Sequence, residues 1–180
     1  YKNNSFMETL LLKTEKYVFS LLTKELNASY LYHNLSHTQR VVNATKELIV
    51  GENISEVDAN VLLLAAWFHD VGYIKGAENH EEASVRIVRN FLEEYNIDDS
   101  IINDVSKLIR ATKMGHEPDG ILEKVIRDAD CSHLGKKGFS DVSDLLKEES
   151  ILVQDKNYSD LEWIKENIHF LANKHIYYTS

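Results

Sequence analysis

The stretch "AAWFHDVGY" (residues 65–73) decides how this chain folds. Val61 to Phe68 is an unbroken run of apolar residues, and it stops at two ionisable ones, His69 and Asp70, with Gly72 close behind. A helix that is apolar on every side is buried on every side. A carboxylate at the end of such a helix is costly to desolvate unless something pairs with it. Upstream, Ser55 with Asp58 three residues on has the form of a helix start. The pattern predicts a helix over 56–71, ended by Gly72.

Helical periodicity continues on both sides. Phe6, Leu10, Tyr17 and Leu21 predict a first helix over Ser5–Leu26. "NASYLYHNLS" (27–36) reads as a connection, and Ser36 with Gln39 forms a capping-box pattern that opens a helix to about Val50. Ala83, Ile87, Phe91 and Leu92 mark an amphipathic helix over 79–95. Ile101, Val105, Leu108 and Ile109 mark another over 100–114, capped by Asp98 or Asp99. After "GHEPDG" (115–120) come helices over Ile121–Leu134, about 139–149 and 158–175. No strand pattern, repeat or linker is visible, and there is one proline. The expected fold is all-α: a single-domain helical bundle with irregular packing over 1–180. Its motif-bearing core is about 30–138, with the helices of 139–180 packing on it.

The formal net charge is −9, which excludes a general nucleic-acid binder, because an acidic chain repels a polyanion. A small phosphate-bearing substrate remains compatible where bound metal ions reverse the local field. The single cysteine, Cys131, allows no intrachain disulfide and fits a reducing compartment. The longest apolar run is far shorter than a membrane span, and no signal peptide is visible. A cytoplasmic protein with no membrane association is expected. The chain begins at Tyr1 and not at a methionine, so a piece of a longer or processed protein is expected.

The chemistry-bearing residues cluster in three places. His69 and Asp70 point about 100° apart on a helix, yet both can reach one small ion at the helix end. A neutral imidazole and a carboxylate are both good ligands for a divalent metal. The ordinary alternative is a C-terminal turn, with His69 complementing the helix dipole. In "YHNLSHTQRVV" (32–42), His37 falls in a first helical turn and His33 in the loop before it, where it can face a site without ligating. In "VIRDADCSHLG" (125–135), Asp130 shares a helix face with Arg127 and His133. The ordinary alternative there is an exposed acidic face, with Asp130 paired to Arg127.

His37, then His69-Asp70, then Asp130, in that order and on four separate helices, resembles the metal-binding signature of the HD-domain superfamily of metal-dependent phosphohydrolases. "YHNLSH", "AAWFHDVGY", "NHEEAS", "IRATKMGH" and "RDADCSHLG" resemble one of its families, the predicted metal-dependent phosphohydrolases. The likeness covers roughly residues 30–138. It implies a helical bundle of the HD and phosphodiesterase type with a metal at its centre. His37, His69, Asp70 and Asp130 would be the first ion's ligands. "YHN" followed by a histidine is also similar to the helical cyclic-nucleotide phosphodiesterases, and by that similarity His33 would be the general acid. Those enzymes are much longer, and their nucleotide-specificity pocket has no counterpart here. In some HD enzymes two further histidines bind a second metal. His80 and His116 fit that order, with Glu81 as the alternative ligand near His80 and Asp70 bridging both ions.

The function this implies is hydrolysis of a small, nucleotide-like phosphoester by a metal-activated hydroxide that attacks phosphorus. One or two divalent ions are expected, and the mixed nitrogen and oxygen ligands suit Mn, Fe, Co, Ni or Mg. His33 would protonate the leaving oxygen. Lys113 and Arg127 are candidates to touch a phosphate oxygen, against the plainer reading of surface charges. The competing reading is a nucleotide- or metal-binding regulatory module with little turnover. His169 and His175 are read as packing or surface residues of the last helix, and Cys131 as a buried thiol.

Overall fold

The computed structural model describes residues 4–179 and is all-α. Eight helices run in the order α1 (Asn4–Glu25), α2 (Leu35–Gly51), α3 (Glu56–Phe68), α4 (His80–Glu94), α5 (Asp99–Ala111), α6 (Gly120–Asp130), α7 (Phe139–Gln154) and α8 (Asp160–Asn173). Short 3-10 segments follow α3 at Val71–Lys75 and α6 at Ser132–Gly135. Among the described residues there is no strand, and no helix is long and apolar enough to cross a membrane.

The apolar run lies at the centre. α3 buries Val61, Leu62, Leu64, Ala65, Ala66, Trp67 and Phe68. α1, α2, α4, α5 and α6 all pack against it. Ser55 caps α3 as its sequence predicts, accepting from the Asp58 N–H at 3.2 Å. The start of α2 differs from expectation. Its cap is Asn34, not Ser36: the Asn34 side chain accepts from the N–H groups of Ser36 (2.9 Å) and His37 (3.3 Å). An asparagine at that position satisfies orphan donors as well as a serine does.

Gly72 does not end α3 as a left-handed cap. The helix stops at Phe68, and Gly72 sits inside the 3-10 segment. Its role is close approach: a Cβ there would lie 1.9 Å from the His80 carbonyl oxygen and 2.8 Å from the Ser84 nitrogen. The Gly72 N–H donates to the Ser84 hydroxyl at 2.8 Å, which donates to the His69 carbonyl at 2.7 Å. This clamp fixes the His69–Gly72 turn against the first turns of α4. Both obstacles are backbone, so Gly72→Ala cannot be relieved by a rotamer change. It is expected to cost about 3 kcal/mol or more, a fall in Tm of roughly 6–12 °C for a chain of this size, read by thermal denaturation.

The C-terminal helices are peripheral. α8 buries none of its residues. It touches α7 through Trp163 and Asn167, whose side chains donate to the Ser143 hydroxyl at 2.9 and 3.1 Å. α8 ends at Asn173, so His175 lies beyond the helix in which the sequence pattern placed it.

Candidate metal centre

The ends of three helices converge. His37 comes from the first turn of α2, His69 and Asp70 from the end of α3, and Asp130 is the last residue of α6. The four residues therefore stand on three helices rather than four. The His37 and His69 Nε2 atoms face each other at 3.2 Å. Asp70 Oδ2 lies 3.2 Å from each. Asp130 Oδ1 lies 3.1 Å from His37 Nε2 and 3.7 Å from His69 Nε2. His37 and His69 are fully enclosed, and Asp70 is 6 % exposed.

The backbone sets the tautomer of His69. Its Nδ1 lies 2.9 Å from the Ala66 carbonyl, which can only accept, so Nδ1 carries the hydrogen and Nε2 turns a lone pair to the cluster when the ring is neutral. His80 is held the same way, with Nδ1 3.0 Å from the Ala77 carbonyl. Its Nε2 then faces Asp70 Oδ1 at 3.6 Å and Glu81 Oε1 at 3.7 Å. Asp70 thus turns one oxygen to His37 and His69 and the other to His80.

This donor set fits a divalent cation. His37, His69 and Asp70 each offer a ligand atom within 4.8 Å of the others. Asp70 Oδ2 is buried with no hydrogen-bond partner, as a carboxylate oxygen meant for an ion would be. Ligands about 2.1 Å from a common ion stand about 3.0 Å apart in an octahedron and about 3.4 Å apart in a tetrahedron. The spacings run from 3.1 Å, just above the octahedral value, to 3.7 Å, somewhat beyond the tetrahedral one.

Without an ion, protons must take its place. Burial pushes the pKa of His37 and His69 down, but Asp70 and Asp130 override it and hold both above the ordinary histidine range, His69 well above. Burial likewise raises Asp70 and Asp130, and the two imidazoles override it and bring both well below the carboxylate range. A binding ion must expel the protons so held. Metal affinity is therefore expected to rise with pH, by about tenfold per pH unit for each proton displaced, until the raised histidine pKa is passed. Metal titrations at a series of pH values check this.

Around the cluster stands an aromatic wall that the sequence reading did not single out. The Tyr73 ring is stacked between His33 (4.3 Å between centroids) and His80 (4.1 Å). Burial, with Asp70 nearby, pushes the Tyr73 pKa far above its usual value, so its hydroxyl stays neutral. The Tyr32 ring lies 4.8 Å from that of His37, and its hydroxyl is 3.3 Å from His133 Nδ1. Burial and the nearby His37 lower the His133 pKa to about 4, so His133 is neutral at physiological pH.

His33 is anchored by Glu149 of α7. Glu149 Oε1 pairs with His33 Nδ1, and Oε2 accepts from the backbone N–H groups of Tyr32 (2.7 Å) and His33 (2.9 Å). Glu149 is buried, which alone would raise its pKa, but His33 and the backbone donors bring it below the usual value and keep it ionised.

The other candidates divide. His80 is brought to Asp70, and Glu81 is buried beside it. His116 is engaged elsewhere, with Nε2 2.7 Å from Glu123, a buried carboxylate that also accepts from the Asp119 N–H. Arg127 is not paired with Asp130; its Nη1 donates to the carbonyls of Ala111 (2.8 Å) and Lys113 (3.0 Å). Lys113 is exposed on an open cleft of about 390 Å³ that Glu81, Arg110 and His116 also line. Burial pushes the Cys131 thiol up to about 12, so it is unreactive at neutral pH.

The HD domain family model matches residues 34–135, more than half of the chain. No curated protein and no solved structure matches. The matched segment begins at the Asn34 cap, so it includes all four residues of the cluster and excludes His33 and Glu149.

Proposed function

Because the chain belongs to the HD-domain family, a superfamily of metal-dependent hydrolases, we propose that it hydrolyses a small, nucleotide-like phosphoester at the His37–His69–Asp70–Asp130 cluster. The observation that carries this reading is Asp70 Oδ2, buried without a hydrogen-bond partner and facing two buried imidazole nitrogens at 3.2 Å. A divalent ion held there would supply a Lewis acid for the phosphoryl group and would lower the pKa of a bound water. His37, His69, Asp70 and Asp130 would be its ligands. A second ion on the Oδ1 side of Asp70 would take His80, and His116 could join only by releasing Glu123.

The protein's own groups divide the remaining work. Glu149 holds the His33 Nδ1 hydrogen and fixes the ring, and Tyr73 stacks on its face. His33 is thereby set in one orientation as the proton donor to the leaving oxygen. The Ser84 clamp keeps Asp70 and His80 in register.

The test is elemental analysis of protein purified without chelator, together with a screen of phosphomonoesters, phosphodiesters and nucleoside polyphosphates. One or two divalent ions per chain with turnover supports the reading. Bound metal with no turnover on any class would leave a metal-binding regulatory module. No metal after loading with Mn, Fe, Co, Ni or Mg would remove the catalytic reading.

A further inference from the structure

α8 is anchored at both ends and carries one face that its own chain leaves open. A capping box starts it: the Ser159 side chain accepts from the Glu162 N–H, and the Glu162 side chain from the Ser159 N–H. Lys147 of α7 holds Asp160 at 2.6 Å. Beyond the other end, the N–H groups of Tyr178 (2.9 Å) and Thr179 (2.7 Å) donate to Oδ2 of the buried Asp128. Trp163 and Asn167 face α7, where both donate to the Ser143 hydroxyl.

Leu161, Ile164, Ile168 and Leu171 are 61, 53, 61 and 40 % exposed. They form one stripe, roughly 100° round the helix from the side that Trp163 and Asn167 turn to α7. Their spacing of three, four and three residues is that of alternating a and d positions in a coiled coil. A helix of this length is marginal in water without a packed face, and α8 buries none of its residues within its own chain. Four aliphatic side chains so exposed present roughly 400 Å² of apolar surface, against roughly 500 Å² of apolar area on each side of a standard homodimer interface.

The charges beside the stripe select what fits it. In this register Asp160 and Asn167 flank one edge, and Lys165 and Ala172 flank the other. In a parallel pair of α8 helices each edge meets the opposite edge of its neighbour. Asp160 then faces Lys165 of the second copy, Asn167 faces Ala172, and no like charges meet. In an antiparallel pair Lys165 would face Lys165. Asp160 can take a second lysine, because its side chain is 93 % exposed despite its contact with Lys147.

We propose that the stripe from Leu161 to Leu171 is a homodimer surface, on which α8 of a second copy of this chain packs in parallel about a two-fold axis. Each copy covers the face that the other leaves open. Neither metal nor turnover enters this pairing, so it stands or falls apart from the hydrolase reading.

The test is analytical ultracentrifugation of the full chain. A monomer–dimer equilibrium is expected between about 1 and 100 µM. Ile168→Glu sets an unpaired carboxylate in the middle of the seam and should weaken association at least about 100-fold. Ile168 is exposed in the single chain, so helix content should be unchanged. Leu161→Glu makes the same change at one end of the stripe and decides the point if Ile168→Glu fails to fold. Val50→Glu alters an exposed aliphatic residue of α2, away from the stripe, and should leave association as it was. Lys165→Glu turns each opposite-charge pair into a like-charge one. It should weaken association about fivefold at low salt, and less at about 0.5 M salt. A chain that stays monomeric at about 100 µM overturns the proposal, and so does a dimer that Ile168→Glu and Leu161→Glu leave intact. A dimer indifferent to Lys165→Glu overturns the parallel pairing.

Discussion

Asp70→Ala is expected to remove bound metal and hydrolysis together. Asp70 is the residue whose two oxygens face both sides of the cluster, with Oδ2 3.2 Å from His37 and His69 and Oδ1 3.6 Å from His80. Losing an outer partner of a metal ligand costs about 10–100-fold in metal affinity or activity, and losing a charged ligand costs more. We expect at least about a 10³-fold fall in kcat, equivalent to about 4 kcal/mol. Asp70 lies beyond the last residue of α3, outside any helix interior, so helix content by circular dichroism should be retained. Elemental analysis and activity, measured on the same folded variant, check the prediction. Retained metal with lost activity would move Asp70 from ligand to catalytic base, and retained activity would dissolve the proposed centre.

His33→Ala is expected to do the converse, keeping the metal and losing the rate. General acid catalysis is worth about 10²–10⁴-fold, so kcat should fall by that much for an ester with a poor leaving group. For a p-nitrophenyl ester, whose leaving group needs no proton, the fall should be small. Glu149→Gln probes the same device from α7. Glutamine can still accept from the Tyr32 and His33 backbone but loses the charge beside His33 Nδ1. It is expected to lower kcat by about tenfold, with metal content and KM little changed. Loss of metal in either variant would make His33 a ligand or a structural prop.

Much of this was readable from local pattern. Val61–Phe68 reads as a central helix because Ser55 with Asp58 gives it a helix start and the segments on both sides keep the helical period. The ligand candidates followed from the resemblance of His37, His69-Asp70 and Asp130, in that order, to the HD signature. The helix ends were less legible. Asn34 rather than Ser36 caps α2, because either side chain can satisfy the same donors and only the path of the preceding loop chooses. Gly72 looked like a helix stop and is instead a site of close backbone approach, a property of α4 rather than of its own neighbours.

The sequence by itself thus determined the all-α class, the helices and the list of groups able to hold a metal, because periodicity, capping and residue chemistry are local. Tertiary structure alone decided which of them meet. Glu149 reaches His33 across 116 residues, and nothing in "KEES" distinguishes it from the other acidic residues of α7. His80 meets Asp70 while His116 meets Glu123, although both histidines had equal standing in the chain. His175, read as a residue of the last helix, stands beyond it against Arg127 because Asp128 draws the final residues back across α6. The reason is physical. A buried side chain's partner is set by which helix ends the core brings together, and that geometry depends on all the helices at once.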